Sequence, residues 1–175
     1  METFFIGDTH FYHRAIINYC NRPFTSIEEM NETIVKNWNN RVGKHDVVFM
    51  LGDFALCGRD RIIELGNRLH GRKTLILGNH DGASMTTYRE AGFELIYKYP
   101  VLYDGFYILS HTPQFTAPNG LYVNIHAHTH NDPKYKSISP LSYCTSVELN
   151  DYAPIEFGEI KKKITKAREE NDNIY

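Results

Sequence analysis

Three short apolar runs in this chain end in the same way. Phe4-Phe5-Ile6 leads into Gly7-Asp8, Val47–Leu51 into Gly52-Asp53, and Thr74–Leu77 into Gly78-Asn79. Apolar runs of this length read as strands buried on both faces, the signature of a parallel sheet covered by helices. Each run passes through a glycine, which permits a tight turn or close backbone approach, to a short oxygen-bearing side chain. In open α/β sheets the carboxyl edge of the strands is where ligands bind. Taken singly, each Asp or Asn also suits the N-cap of a following helix. Three in succession place three oxygen donors along one edge.

The segments between these runs carry helical periodicity. Ser26-Ile27-Glu28-Glu29 forms a capping box ahead of Ile27, Met30, Ile34 and Trp38, which share one face. Ile62, Leu65 and Leu69 repeat at helical spacing up to Gly71, and a shorter helix is expected from Ser84 to Ala91, stopped by Gly92. Beyond it the pattern changes to strands at Leu95–Tyr99, Phe106–Ser110, Leu121–Ile125 and Tyr143–Leu149. A last helix follows Pro154, with Ile160 and Ile164 inward and the Lys161–Lys163 run on a solvated face. Strand–helix units followed mostly by strands predict a two-sheet α/β sandwich. With 175 residues and no low-complexity linker, one domain over 1–175 is expected.

Composition narrows the function. The charge balance of −2 argues against a broad basic face for non-specific nucleic-acid binding, though not against a local phosphate pocket. Cys20, Cys57 and Cys144 share no close spacing, so neither a disulfide framework nor a thiolate zinc site is indicated. No apolar run approaches the length of a membrane span, and the first residues have no signal-peptide pattern. A reducing cytoplasm is the simplest expectation.

The unusual feature is nine histidines, histidine being the commonest metal ligand. His10 stands two residues after Asp8, His80 directly after Asn79, and His111 closes the Phe106–Ser110 run. His126, His128 and His130 alternate after Leu121–Ile125 and share a side if extended. A lone histidine is usually a satisfied polar residue; a set of them at strand ends beside Asp and Asn points to a metal. Such a mixed set without cysteine suits Mn, Fe, Zn or a related divalent ion.

Asp8-Thr9-His10, Gly52-Asp53, Gly78-Asn79-His80-Asp81, Ser110-His111 and Ala127-His128-Thr129-His130 occur in this order. Together they resemble the motifs of the calcineurin-like metallophosphoesterases. Asp8–Phe11 and Asn18–Phe24 look most like small bacterial and phage members of that superfamily. The resemblance implies an α/β/β/α sandwich and two adjacent divalent cations, Mn²⁺ first, with Fe, Zn, Ni or Co as alternatives. It implies that Asp8, His10 and His130 hold one cation, that Asn79, His111 and His128 hold the other, and that Asp53 bridges them. A metal-bridged hydroxide would then attack a phosphodiester or phosphomonoester in line. His80 would be a non-ligand that stabilises the transition state or protonates the leaving oxygen. A nuclease of the same superfamily and a non-catalytic protein-binding scaffold are the alternatives.

Two positions depart from the family pattern. Ala127 stands where glycine usually precedes the His-x-His pair, and is tolerated if its φ is negative. Leu56 stands where the family's protein phosphatases place the Asp that pairs with the catalytic histidine, so His80 needs another partner, Asp81 or Asp60. His13 and Arg59 are candidate substrate contacts, and Lys134 and Lys136 follow the histidine pair closely enough to rim the site. Phe115 is a candidate to stack on an aromatic leaving group. The substrate is expected to be a phosphate ester, nucleotide-like molecules among them.

Overall fold

The computed structural model describes residues 1–117, 120–135, 139 and 141–172; Lys136 lies outside them. Strands β1 (Thr3–Ile6), β2 (Val47–Met50), β3 (Arg72–Ile76) and β4 (Phe93–Tyr97) run parallel, and β9 (Ile155–Glu156) joins β1 antiparallel. This first sheet has the order β4-β3-β2-β1-β9. The second has the order β5-β6-β7-β8, formed by Val101–Tyr103, Tyr107–Leu109, Val123–His126 and Ser142–Cys144, with β5 antiparallel to β6.

Alternation along each strand sorts the core into two layers. Phe4, Ile6, Val48, Met50 and Leu75 face helices α1 (Arg14–Tyr19), α2 (Ile27–Arg41), α3 (Arg59–Arg68) and α4 (Met85–Glu90). Phe5, Leu51 and Ile76 face the other way, onto Leu109 and Ile125 of the second sheet. The last helix, α5 (Phe157–Asp172), adds Ile160 and Ile164 to this second layer and leans on β1, β8 and β9. The architecture is the expected two-sheet α/β sandwich.

The helix starts follow the sequence signals. Ser26 Oγ accepts the Glu29 N–H at 3.1 Å, while Glu29 Oε2 reaches back to the Thr25 N–H at 2.8 Å, one residue earlier than a capping box requires. Ser84 caps α4 by accepting the Thr87 N–H at 3.2 Å.

Some boundaries differ from expectation. The run after α4 pairs as Phe93–Tyr97 rather than Leu95–Tyr99. The segment after β7 pairs with it at Ser142–Cys144, bridges to Gly7 at Ser146, and turns into a 3₁₀ stretch at Val147–Leu149. That turn lets the chain cross to the first sheet. Gly7 N–H donates to the Thr145 carbonyl at 3.1 Å and Val147 N–H to the Gly7 carbonyl at 3.2 Å. The carboxyl ends of β1 and β8 are thereby joined, and the strand ends of both sheets meet at one edge.

Candidate metal centre

Asp8, Asp53 and Asn79 sit on the turns that leave β1, β2 and β3. The turns are interlocked: Asp8 N–H donates to the Gly52 carbonyl at 3.0 Å and His10 N–H to the Asp53 carbonyl at 2.9 Å. A Cβ on Gly52 (φ +89°) would lie 2.5 Å from His111 Nδ1 and 2.7 Å from the Gly78 backbone, so only glycine fits there.

Neither the Asp8–His10 segment nor the His126–His130 segment is extended, so the condition for the three later histidines to share a side is not met. Asp8 (φ 54°), His10 (47°), Asp53 (56°), His128 (72°) and His130 (49°) all take the left-handed conformation, which is costly for residues with a Cβ. β7 ends at His126, and the backbone curls so that His128 and His130 turn toward the first sheet. His126 stays behind, buried, with Nδ1 2.8 Å from the Ala127 carbonyl. Ala127 has no positive φ, which meets the condition for alanine there.

Among the described residues three groups have donor atoms within 4.8 Å of one another; two unite the expected ligands, Asp8, His10 and His130, and Asp53, His111 and His128, and the third is Cys20, His130 and Glu148. Asp53 Oδ1 accepts the His80 N–H at 2.9 Å. Its Oδ2 lies 3.4 Å from His10 Nε2 and 3.5 Å from His111 Nε2, one histidine from each of the first two groups. Asn79 Oδ1 also lies 2.9 Å from His111 Nε2, and His128 Nδ1 lies 3.0 Å from it. His111 Nδ1–H donates to the Leu51 carbonyl at 2.8 Å, which leaves the Nε2 lone pair facing these oxygens.

Two buried atoms, Asp8 Oδ1 and His10 Nε2, have no hydrogen-bond partner. The other Asp8 oxygen accepts from the His128 N–H at 2.7 Å and from the Ser146 hydroxyl. Buried polar atoms are normally paired, and lone pairs that converge without a donor fit a cation. Burial raises the Asp8 carboxyl to about 6, against the pull of His130 and His111. Burial, with His130 and Arg22 adding to it, lowers His10 to about 2 and keeps its ring neutral.

His80 is exposed beside this cluster, its ring 5.3 Å from that of His10 and 6.1 Å from that of His13. Neither aspartate suggested as its partner is free for it. Asp81 accepts the N–H groups of Asp53 (2.7 Å), Phe54 (2.9 Å) and Gly78 (2.8 Å), with the Tyr88 hydroxyl at 3.3 Å. It therefore ties the second turn to the third. Asp60 pairs with Arg59 on the surface. Arg59 also pairs with Glu90 and lines the same shallow depression as His80 and Leu56. His13 Nδ1 lies 3.2 Å from His10 Nδ1. Phe115 and Lys134 are exposed.

Sequence reasoning missed Arg22 and Glu148 as site residues. Arg22 is buried and donates to the carbonyls of Asp8 (2.7 Å) and Thr9 (2.9 Å). Its Nε and Nη2 also bind Glu148 Oε1 at 2.9 and 2.7 Å. The same oxygen lies 2.9 Å from His130 Nδ1. A carboxylate behind a histidine is the usual way to orient a metal-binding imidazole. Arg22 and Glu148 lie 126 positions apart, and no local pattern links them.

This sandwich, with its clustered donors at the joined strand ends, is that of a metal-dependent phosphoesterase. A family profile for the calcineurin-like phosphoesterases matches residues 1–150, and the chain belongs to that family. An uncharacterized protein of Methanocaldococcus jannaschii is 36% identical over 176 residues, covering 95% of this chain and 93% of that protein. The gene 66 protein of Mycobacterium phage L5 is 40% identical over 84 residues, 46% of this chain and 40% of that one. Among solved structures, a protein of unknown function from Aquifex aeolicus superposes with a TM-score of 0.69 at 28% identity, covering 92% of this chain and 98% of its own. The Pseudomonas putida nuclease MPE shares the fold with a TM-score of 0.50 at 19% identity, over 73% of this chain and 61% of its own. Among the described residues, no helix is long and apolar enough to cross a membrane.

Proposed function

We propose that the protein hydrolyses phosphodiesters or phosphomonoesters with two divalent cations, as a single domain spanning residues 1–175. Asp8, His10 and His130 would hold one cation and Asn79, His111 and His128 the other, with Asp53 shared. The observation that carries this reading is Asp53 Oδ2, which faces His10 from one group and His111 from the other. When bound, the two cations lower the pKa of a water and offset charge on the phosphate oxygens. The family resemblance puts Mn²⁺ first, and the mixed oxygen and imidazole donors would also accept Fe, Zn, Ni or Co.

The chain supplies the rest. Backbone N–H groups and the Asp81 carboxylate hold the three turns in register, so the donors need little rearrangement. The exposed His80 ring stands at the mouth of the site, where it can protonate the leaving oxygen or hydrogen-bond to the phosphoryl group. His13 behind His10, and Arg59 along the depression beside His80, are the substrate contacts in this reading. The three cysteines are free, which supports a reducing, cytoplasmic setting.

The test is turnover of bis(4-nitrophenyl) phosphate by protein stripped of metal and reloaded with Mn²⁺. Activity that appears on loading and disappears with chelator supports the reading. An ordered, metal-loaded protein with no turnover in any metal would favour the scaffold alternative.

A further inference from the structure

The two donor groups account for the phosphoryl centre but not for what the phosphate is attached to. A cleft of about 470 Å³ opens beside them, with His128 and His130 on its floor. Its volume lies within the range of small-molecule sites. One wall is the end of α1, with Tyr19, and the other is the segment after His130, with Tyr135. These rings are 75% and 50% exposed.

Tyr19 is not an isolated surface ring. It stands edge-on to His13, centroids 6.3 Å apart at 78°, and His13 Nδ1 lies 3.2 Å from His10 Nδ1. A side-chain relay thus runs from the first donor group to this wall. Asn131 Nδ2 donates to the Cys20 carbonyl at 2.9 Å and joins the two walls. Asn21, Asn131 and Asp132 supply polar edges, and no lysine or arginine is among the described lining residues.

This chemistry discriminates between substituents. A second phosphate would find no lysine or arginine among the described lining residues. An alkyl chain would leave the amide and carboxylate edges without partners. A sugar alone has a C–H face for one ring but no flat aromatic surface for the tyrosines to stack on. A nucleobase offers both an aromatic face and an edge of donors and acceptors, and stacking on aromatic side chains is how proteins hold unpaired bases.

We propose that this cleft seats the base of a mononucleotide-type phosphodiester, stacked on Tyr19 and Tyr135. The proposal rests on the phosphoesterase reading and names the substrate class of that site.

The test compares two diesters with one leaving group, the 4-nitrophenyl esters of thymidine 5′-phosphate and of methyl phosphate, on Mn²⁺-loaded protein. The nucleoside diester should be preferred in kcat/KM by roughly tenfold, the scale of one base stacked on one aromatic ring. Tyr19→Leu and Tyr135→Leu should each shrink that preference through KM, and Tyr19→Phe should keep it. Both side chains are exposed, so folding is not at stake. Equal kcat/KM for the two diesters, or a preference untouched by both leucine variants, overturns the proposal and leaves the phosphoesterase reading in place.

Equilibrium dialysis of thymidine 5′-monophosphate against methyl phosphate gives a readout that needs no turnover. Tighter, Tyr19-dependent binding without hydrolysis of either diester would support the cleft assignment and sink the phosphoesterase reading alone. A ten-residue single-stranded oligonucleotide binding more tightly than the mononucleotide, with a steep salt dependence, would overturn the mononucleotide and point to a strand end instead.

Discussion

Glu148 Oε1 lies 2.9 Å from His130 Nδ1, so a carboxylate from the turn after β8 holds a ring from the turn after β7. Burial alone would depress the His130 pKa. Hydrogen bonds to Cys20 and Glu148 and the charges of Asp8 and Glu148 outweigh it and hold the ring at about 11. The metal-free folded protein therefore keeps a proton that the unfolded chain releases near 6.5. This contribution to stability is fully present below pH 6.5 and is lost as pH rises through about 11. The shifts of Asp8 and His10 act below that window. Chelator-treated protein should thus lose thermal stability from pH 7 to pH 10, and Glu148→Gln should flatten the slope. Melting temperatures across that range check it; a variant slope equal to the wild type's would contradict it.

His80 donates its backbone N–H to Asp53 Oδ1, and in the proposed arrangement its ring holds no metal. His80→Ala should reduce turnover by about 10²- to 10⁴-fold, the usual contribution of a general acid. Metal content, measured by elemental analysis, should stay near that of the wild type. Loss of metal from this variant would show that His80 is a ligand.

Gly7 and Ala127 share one space: a Cβ on Gly7 would lie 2.3 Å from the Ala127 Cβ. Gly7→Ala should destabilise the protein by about 1–3 kcal/mol, the usual cost of overpacking. Adding Ala127→Gly should recover part of that loss, because the two methyl groups compete for the same volume. Urea unfolding of the two single variants and the double variant measures the coupling. Purely additive losses would contradict it.

Strands β1 to β3 and the order of the donors were legible because a buried parallel strand writes a continuous apolar run and its turn follows directly. Asp8, Asp53 and Asn79 could be placed from that pattern alone. The left-handed backbone at Asp8, His10, Asp53, His128 and His130 was not legible. It is imposed by hydrogen bonds between turns, such as His128 N–H to Asp8 Oδ2, and not by local propensity. Arg22 and Glu148 were hidden for the same reason: a buried ion pair across 126 positions has no periodicity. Asp81, adjacent to His80 in sequence, looked like its partner, yet its carboxylate is taken up by three backbone N–H groups.

The proposed two-cation site is tested most directly by metal stoichiometry. Protein stripped of metal, dialysed against Mn²⁺ and freed of excess should hold two equivalents per chain. His111→Ala should hold about one, because Asp8, His10 and His130 remain. A single equivalent in the wild type, or two retained in His111→Ala, would contradict the arrangement around Asp53.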